Sequence, residues 1–275
     1  MEDRMKTVLV IGATAGIGEA LVRRLHALDK TVIATGRNKD KLEAMARDLS
    51  GLQTRQLDIS ELATLPTTVE SLLADFRSID TIIITAGIQL HYSLLNPSSI
   101  TPTQISDEIT TNLTAPALLI RLLSPYLLGL ANQGAKTTLL VTSSSLAYVP
   151  LSLYPTYCAS KAGVQALVKT LRQQLSYVPI SNGGDVRVVE IVPPYTDTGL
   201  DKAHRESTIA IQGGPEKAFK PMPLDEFIEQ FFEALEQHGP DGQVKNEIGV
   251  GFGEMGVTLW RDSFGKVYEQ MGIST

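Results

Sequence analysis

Residues 7–18 read TVLVIGATAGIG, an apolar, β-branched run followed by three glycines. The run from Thr7 to Ile11 is typical of a buried parallel strand. The glycines permit a tight turn into a helix and close approach of the backbone to a ligand, and the free amide groups of a helix N-terminus attract a pyrophosphate. Because the spacing Gly12-x-x-x-Gly16-x-Gly18 only approximates the general dinucleotide fingerprint, a plain strand-to-helix turn remains the alternative.

Strand-like and helix-like segments alternate along the rest of the chain. The predicted strands are Thr7 to Ile11, Thr31 to Thr35, Leu52 to Leu57, Thr81 to Thr85, Thr138 to Thr142, Val186 to Val192 and Glu247 to Gly251. The predicted helices are Ile17 to Leu28, Lys39 to Leu49, Glu61 to Phe76, Thr103 to Leu130, Pro155 to Tyr177, Leu224 to Gln237 and Leu259 to Met271. This alternation predicts an α/β fold, a single-domain Rossmann-type doubly wound parallel sheet of about seven strands with helices on both faces.

No repeat or linker-like tract divides the chain, so we expect one domain over residues 1–275. The stretch from Thr198 to Met222 breaks the rhythm of strands and helices and contains Gly213, Gly214 and Pro215. Long connections of this kind inside a compact domain are commonly functional. We therefore predict a mobile lid over the substrate at about 198–222.

Composition narrows the class of ligand. The formal net charge is -6 and no long Lys/Arg run offsets it, which argues against a nucleic acid or an anionic membrane as partner. Cys158 is the single cysteine, so no intrachain disulfide can form, and no Cys/His cluster has the spacing of a metal site. The N-terminus has no signal-peptide pattern. We expect a cytoplasmic protein that binds a small molecule and no metal.

The residues after the second strand bear on the choice of cofactor. Residues 34–39 read ATGRNK, with Arg37 and Asn38 where binders of the unphosphorylated cofactor carry an acid. A guanidinium pairs well with a phosphate, so this pattern predicts NADP(H) rather than NAD(H). Arg37 could instead be a solvated surface residue. Asp58, followed by Ile59, is a candidate for the adenine amino group, or equally for the N-cap of a helix starting near Ser60.

Tyr157 and Lys161 stand four residues apart in a predicted helix, which places both side chains on one face. A free phenol titrates near pH ~10, and a neighbouring cation moves its pKa toward the working range. The pair therefore indicates acid/base chemistry at Tyr157. A lone match of this spacing carries a real risk of chance, so the rest of the chain must supply the specificity.

Six motifs, taken in their order along the chain, supply this specificity. With them the chain resembles the short-chain dehydrogenase/reductase family over roughly residues 5–260. The motifs are Gly12-x-x-x-Gly16-Ile17-Gly18, Asp58, Ala86-Gly87, Asn112, Ser144 with Tyr157-x-x-x-Lys161, and Pro193-Pro194-Tyr195-Thr196-Asp197-Thr198. The serine stretch 143–150 and the Pro193-Pro194 step are similar to the branch that includes bacterial DltE-like oxidoreductases. The family's usual paired asparagines are replaced by Ile84 and Thr85, and its usual glycine by Pro194.

The resemblance implies a catalytic set of Asn112, Ser144, Tyr157 and Lys161. Tyr157 would exchange the proton with the reacting oxygen, and Lys161 would lower its pKa and hold the nicotinamide ribose. Ser144 would orient the same oxygen, although a shorter loop would give that role to Ser145. Asn112 would anchor a helix kink and a water on the proton path, or simply form a hydrogen bond within its own helix.

The resemblance also implies the cofactor contacts. They are Gly12, Thr14, Ala15, Gly16, Ile17, Gly18, Arg37, Asn38, Asp58, Ile59, Ala86, Gly87, Asn112, Tyr157, Lys161, Pro193, Thr196 and Thr198. Thr198 would contact the nicotinamide carboxamide, with a helix N-cap as the alternative or additional role.

The expected function is an NADP(H)-dependent oxidoreductase acting on a carbonyl or secondary alcohol. The walls expected around the substrate are largely apolar and aromatic, namely Gln89, Leu90, His91, Tyr148, Pro150, Leu151, Leu153, Tyr154, Pro194 and Tyr195. A non-redox epimerase or dehydratase and a non-catalytic NADP(H) sensor are the alternatives. The resemblance further implies a homodimer or homotetramer formed through the helices at 103–130 and 155–177.

Overall fold

A computed structural model describes residues 4–239 and 242–273, and it contains one seven-stranded, fully parallel sheet. The strands are β1 Thr7–Ile11, β2 Thr31–Gly36, β3 Gln53–Gln56, β4 Thr81–Ile84, β5 Lys136–Thr142, β6 Asp185–Val192 and β7 Glu247–Gly249. Their spatial order is β3-β2-β1-β4-β5-β6-β7, so the winding reverses between β1 and β4. Ligands of doubly wound sheets bind at this reversal, outside the carboxyl ends of the strands. The predicted fold class is confirmed.

Both faces of the sheet are covered by helices. They are α1 Gly16–Ala27, α2 Lys39–Asp48, α3 Leu65–Asp75, α4 Pro102–Ile109, α5 Ala115–Ala131, α6 Pro155–Ser176, α7 Arg205–Ile211, α8 Leu224–Glu236, α9 Phe252–Trp260 and α10 Lys266–Gln270. Side chains of β1 alternate between two cores, because successive strand residues point to opposite faces. Val8 and Val10 pack with α1, α2 and α8, whereas Leu9 and Ile11 pack with α3, α5 and α6.

Three predicted boundaries were wrong for local reasons. Helix α3 begins at Leu65 and not at Glu61, because Pro66 lies in its first turn, where a missing N–H costs nothing. Strand β7 ends at Gly249, and Gly251 turns the chain with a positive φ of 53°. The last helical region therefore begins at Phe252, well before the predicted start at Leu259.

The predicted helix from Thr103 to Leu130 is interrupted by a π-helical turn, Thr110–Thr114, between α4 and α5. Pro116, in the first turn of α5, has no N–H to close the ordinary bond to the preceding turn. Single π-turns inside α-helices are frequent at functional sites. This one contains Asn112, so the helix is irregular at the residue that the sequence singles out.

The stretch Pro102–Ala131 is also long and apolar enough, by length and composition alone, to cross a membrane. Its apolar character has another explanation in this fold. Leu119, Leu123 and Leu127 are buried in the core that α5 forms with the sheet, and Glu108 and Asn112 are buried polar residues of the same stretch. We therefore interpret it as a core helix of a globular domain.

Backbone hydrogen bonds join the two ends of the segment 198–222. The Met222 N–H donates to the Tyr195 carbonyl at 2.8 Å, and the Asp197 N–H donates to the Met222 carbonyl at 2.9 Å. Within the segment lies helix α7, Arg205–Ile211, which was not predicted. Its first residue, Arg205, is held by ion pairs to Asp197 and Asp201. These ion pairs with residues four and eight positions earlier, and no capping side chain, hold the start of the helix.

Candidate active site

The carboxyl ends of the strands surround a cavity of about 1050 Å³. Nearly every candidate site residue lines it, namely Gly12, Thr14, Ala15, Gly16, Ile17, Gly18, Arg37, Asp58, Ile59, Ala86, Gly87, Ser144, Tyr157, Lys161, Pro193, Thr196 and Thr198. Asn38 and Asn112 are not among the lining residues, and both have other structural roles described below. The sequence thus predicted one continuous site from residues spread over most of the chain.

The glycine turn is packed so closely that side chains are excluded. A Cβ on Gly12, whose φ is +98°, would lie 2.5 Å from the Ala86 backbone nitrogen. A Cβ on Gly18 would lie 2.1 Å from the Gly12 carbonyl oxygen. The Thr85 hydroxyl donates to the Ile11 carbonyl at 3.1 Å and so ties β4 to β1 where the family's asparagine is missing. A bare backbone turn leading into α1 suits a pyrophosphate.

Arg37 follows β2 and lies exposed on the cavity wall. The side chain of Asn38 caps α2 by accepting the Lys41 N–H at 3.0 Å, so its assignment to the cofactor stays a prediction. Lys41 in turn donates from Nζ to the Thr14 carbonyl at 3.1 Å. Two cations therefore lie at this end of the cavity. Lys41 is a residue that sequence reasoning missed, and only its approach to the glycine turn reveals it.

Asp58 lines the cavity and forms a local turn. Its Oδ1 atom accepts hydrogen bonds from the Ser60 N–H at 2.9 Å and from the Ser60 hydroxyl at 2.7 Å. The alternative of a helix N-cap was wrong, because α3 begins only at Leu65 and its N-cap is Thr64. The turn leaves Asp58 on the cavity wall, and its contact with an adenine stays a prediction.

Tyr157 is in the first turn of α6 and is almost completely buried. Burial raises the pKa of its phenol above the ordinary value, and the Ser144 hydroxyl, which faces it, offsets part of the rise. Ser144 is thus the serine brought to Tyr157. Ser143 instead donates to Glu190 at 2.5 Å.

Lys161 lies one turn after Tyr157, with its Nζ 5.7 Å from the centre of the phenol ring. The ammonium donates to the Thr142 carbonyl at 2.9 Å, and burial lowers its pKa to about 8. Burial outweighs the influences that lower the pKa of Tyr157 in this structure, and the expected lowering by Lys161 stays a prediction. Both groups are consequently pushed toward their neutral forms.

Asn112 holds the loop that follows β4. Its Oδ1 accepts the Ile88 N–H at 2.9 Å, its Nδ2 donates to the Ile88 carbonyl at 2.8 Å, and Nδ2 also reaches the Ser160 hydroxyl at 3.2 Å. The alternative of a local bond within its own helix was therefore wrong. A Cβ on Gly87 would lie 3.2 Å from Asn112 Oδ1 and 3.6 Å from Lys161 Nζ, so both side chains face one small space.

Thr198 packs over the glycine turn and closes the cavity there. A Cβ added to Gly16 would lie 2.8 Å from the Cβ of Thr198. Its hydroxyl accepts the Leu200 N–H at 3.3 Å. The alternative of a helix N-cap was wrong, because α7 begins only at Arg205, after His204.

The substrate end was predicted only in part. Gln89, Leu151, Tyr154, Pro194 and Tyr195 line the cavity as expected, and residues of the 198–222 segment add Leu200, Asp201, Thr208, Ile209, Gln212 and Phe219. Tyr148 does not line it, because its hydroxyl donates to the buried Glu190 at 3.1 Å. Leu90, His91, Pro150 and Leu153 are not lining residues either. Side chains next to a catalytic residue in sequence need not face the same cavity.

Hydrogen bonds join the 198–222 segment to the walls. The Tyr195 hydroxyl donates to Asp201 at 2.6 Å, and Tyr154 and Thr208 share a bond of 3.2 Å. Burial alone would raise the pKa of Asp201, but the bonds from Arg205 and Tyr195 together hold it below its usual value. This carboxylate therefore stays charged and paired at neutral pH.

His91 and Cys158 both have structural contacts. The ring of His91 lies 6.0 Å from that of Tyr154 and 5.7 Å from that of His204, outside the cavity lining. Cys158 is buried, and burial raises the pKa of its thiol. Among residues 4–239 and 242–273, no group of three or more His, Cys, Asp or Glu side chains is placed to hold a metal ion.

Comparisons with known proteins agree with this geometry. The family model described as short chain dehydrogenase matches residues 6–208. The chain is 29% identical over 271 residues, 98% of each chain, to the uncharacterised oxidoreductase DltE of Bacillus subtilis (strain 168). It is 32% identical over 214 residues, 78% of this chain and 79% of the relative, to the NADP-dependent 3-hydroxy acid dehydrogenase YdfG of Salmonella typhi.

Solved structures give the same result. An alcohol dehydrogenase of the archaeon Thermococcus sibiricus, in complex with 5-hydroxy-NADP, matches with a TM-score of 0.67 at 25% identity, covering 90% of this chain and 96% of the other. A short chain dehydrogenase/reductase of Burkholderia phymatum in complex with NAD, 17% identical, matches in fold with a TM-score of 0.74 over 98% and 96% of the two chains. The resemblance seen in the sequence is confirmed, and the chain belongs to the short-chain dehydrogenase/reductase family of oxidoreductases.

Proposed function

We propose that the protein is an NADP(H)-dependent oxidoreductase that transfers hydride between the nicotinamide and a carbonyl or secondary alcohol of a largely apolar small molecule. The observation that carries the proposal is the meeting of Tyr157, Lys161 and Ser144 with the glycine turn in one cavity. The acid/base groups alone would not indicate a nucleotide cofactor, and the glycine turn alone would not indicate catalysis. Both together support a carbonyl reductase or alcohol dehydrogenase activity.

Preference for NADP(H) rests on the charges after β2. Arg37 lies on the cavity wall, Lys41 contacts the glycine turn, and residues 34–39 contain no acid. A guanidinium recognises the 2′-phosphate that distinguishes the two cofactors. The name of the Salmonella relative specifies NADP, whereas solved structures of similar fold carry NADP or NAD, so the charges on this chain are the stronger argument.

Proton transfer falls to Tyr157. Its raised pKa keeps the phenol protonated at neutral pH, which suits donation to a carbonyl oxygen in the direction of reduction. The Ser144 hydroxyl, which faces the phenol, would orient the same oxygen. Lys161 would hold the ribose hydroxyls and stabilise the phenolate as it forms. When bound, the nicotinamide supplies or accepts the hydride.

The walls near Tyr157 favour a neutral, largely apolar substrate. Leu151, Tyr154, Ile209 and Phe219 supply apolar and aromatic surface, and Asp201 is already paired within the protein. A site of this composition binds through shape and apolar contact with a few polar groups. We propose that the 198–222 segment acts as a lid over this end of the cavity.

We also propose a cytoplasmic homodimer or homotetramer formed through α5 and α6. Leu118, Leu122 and Leu128 on α5 remain partly exposed after Leu119, Leu123 and Leu127 have packed into the core. A shared interface would cover them. Size-exclusion chromatography with light scattering measures the mass directly, and a monomer at all concentrations would refute this part.

The decisive experiment is a fluorescence titration with NADPH and with NADH, on the wild type, Arg37→Ala and Lys39→Ala. Lys39 is the matched control, since it is an exposed cation that pairs with Glu43 at 3.6 Å and does not line the cavity. We expect tight NADPH binding that weakens toward the NADH value in Arg37→Ala only. Preference for NADH would refute the role of Arg37 in selecting NADPH. Absence of nucleotide binding would refute the proposed oxidoreductase activity.

With the cofactor established, a panel of apolar ketones, aldehydes and diketones is tested for NADPH oxidation, with 3-hydroxy acids assayed in reverse. Turnover of the neutral, apolar members supports the proposal. Turnover of the anionic members alone would refute the substrate class. A nucleotide that stays tightly bound and cycles without net oxidation would point to an epimerase or dehydratase instead.

A further inference from the structure

Glu108 is a completely buried acid close to the catalytic helix. It lies in α4, four residues before Asn112, so the two side chains lie on the same side of the helical stretch. Its Oε1 atom accepts the Leu90 N–H at 2.7 Å, and Asn112 holds both polar groups of Ile88. The two residues together therefore fix the loop that follows β4, part of which lines the cavity.

The second carboxyl oxygen of Glu108, Oε2, differs from Oε1 in its hydrogen bonding. Oε2 is buried and has no hydrogen-bond partner of ordinary geometry among the described residues. Burial raises the pKa of the Glu108 carboxyl to about 7, while the Leu90 N–H and the hydroxyl of Thr156 lower it and offset part of the rise. Thr156 immediately precedes Tyr157 in the first turn of α6. The acid thus faces the loop on one side and the catalytic helix on the other.

Three titratable groups feel the charge of Glu108. They are Tyr92 in the loop after β4, and Tyr157 and Cys158 in α6. Burial is the main cause of the raised pKa at each, and the negative charge of Glu108 adds to it. Like charges disfavour each other's ionised forms when water is excluded. The protonation of Glu108 and that of Tyr157 are therefore coupled.

We propose that Glu108 is a titratable positioning residue of the active site, whose carboxyl holds the loop at Leu90, faces the first turn of α6 and acts through its charge on the Tyr157 phenol. It touches neither the reacting atoms nor the cavity, so it acts through its neighbours. Ionised, it binds the Leu90 N–H more strongly and opposes loss of the Tyr157 proton. The inference rests on the proposed function, since it concerns the group that would donate the proton in that reaction.

Glu108→Gln tests this role, because glutamine keeps an acceptor for Leu90 but cannot carry a charge. Asp107→Asn is the matched control, since it removes a carboxylate from the exposed neighbouring position. We expect Glu108→Gln to move the rise of alcohol oxidation, which reports loss of the Tyr157 proton, to lower pH by on the order of one unit. The limb of carbonyl reduction near pH 8, which Lys161 sets, should stay in place. NADPH affinity should stay as in the wild type. A profile identical to that of the wild type would overturn the proposal.

Thermal stability against pH gives a second readout that needs no activity. A carboxyl whose pKa is raised in the folded protein binds more protons there than in the unfolded chain, so the wild type loses stability as pH rises from about 4.5 to about 7. The Tm difference between Glu108→Gln and the wild type should grow across this window and then level off, with no such trend for Asp107→Asn. A flat difference would refute the titration of Glu108.

If Glu108→Gln fails to fold, Thr156→Val provides a second test of the titration of Glu108. Loss of the hydroxyl removes a group that lowers the Glu108 pKa, so the same stability transition should move to higher pH. An unmoved transition would count against the contact. If the wild type reduces no carbonyl compound, the proposed function fails, while the stability readout still decides whether Glu108 titrates as inferred.

Discussion

The ammonium of Lys161 donates to the carbonyl oxygen of Thr142 at 2.9 Å, which anchors α6 to the end of β5. This bond holds the lysine at the carboxyl edge of the sheet, one turn from Tyr157. Because the same position is buried, the pKa of Lys161 falls to about 8. The residue is therefore charged at neutral pH but titrates within the range in which a reductase can be assayed.

The first prediction concerns pH. Lys161 is an ammonium below pH 8 and a neutral amine above it, so carbonyl reduction should decline as pH rises through about 8. Lys161→Met should remove this limb together with most of the activity. The measurement is kcat/KM for reduction across pH 6 to 10 at saturating NADPH. A rate that stays constant through this range would contradict the lowered pKa.

The second prediction concerns the proton donor. Tyr157→Phe removes only the phenolic hydroxyl, so we expect a loss of about 10²–10⁴-fold in kcat while NADPH affinity is largely kept. Tyr177→Phe is the control, since that tyrosine follows the other end of α6 and is 83% exposed. Steady-state kinetics and nucleotide titration separate the two effects. Full activity in Tyr157→Phe would assign the proton transfer to another group.

The sequence predicted the sheet and most of the cavity lining because those features are local. Apolar strands, the glycine turn and the Tyr157–Lys161 spacing each occupy a few consecutive residues. Asn112 was identified by resemblance, but its partner Ile88 lies in the loop after β4, and only the fold brings the two together. Pro116 removes the ordinary helical hydrogen bond at this point, but the periodicity of residues 103–130 does not indicate that the π-helical turn Thr110–Thr114 results.

Charged residues were the least predictable part of the site. Glu108 looks like any polar position of an amphipathic helix, and its burial depends on how α4 packs against α6. Lys169, eight residues after Lys161, belongs to a buried ion pair with Glu190 behind the loop of serines 143–145, the serine loop. Partners of charges are set by topology, which single-residue patterns do not contain.

The third prediction concerns the glycine turn. Gly18→Ala would place a methyl group 2.1 Å from the Gly12 carbonyl, and a backbone atom cannot move aside easily. We expect NADPH affinity to fall tenfold or more, or the protein to lose its fold, because an added methyl group in a closely packed turn destabilises the folded state. Gly129→Ala in α5 is the control, because nothing lies within 4 Å of its added Cβ and alanine favours a helix. Equal behaviour of the two variants would contradict the close packing.

The fourth prediction concerns the proposed lid. Asp201→Asn breaks the ion pair with Arg205 at 2.7 Å and weakens the bond from Tyr195, so the 198–222 segment should be less ordered. We expect KM for the carbonyl substrate to rise about tenfold with a smaller change in kcat, because substrate contacts are loosened. Asp197→Asn is the control, since that partner of Arg205 is 53% exposed and surface pairs contribute little. Similar kinetics in all three proteins would contradict a role for this contact.

The fifth prediction concerns the buried ion pair behind the serine loop. The Lys169 ammonium lies 3.5 Å from Glu190 and 4.2 Å from the centre of the Trp260 ring, and Glu190 also accepts the Ser143 hydroxyl. Lys169→Met leaves the buried Glu190 charge without its partner, so the free energy of unfolding should fall by about 3 kcal/mol. Lys266→Met is the control, because the exposed pair with Asp262 contributes less than about 1 kcal/mol.

Adding Glu190→Gln to Lys169→Met should restore part of this stability, since the unpaired charge is then gone. The double variant should nonetheless keep a reduced kcat. Ser143 is tied to Glu190 and immediately precedes Ser144, so loss of that carboxylate loosens the strand end that presents the Ser144 hydroxyl to Tyr157. Urea unfolding and steady-state kinetics on the same four proteins measure both effects. Recovery of stability together with wild-type kcat would show that the network supports the fold but not the position of Ser144.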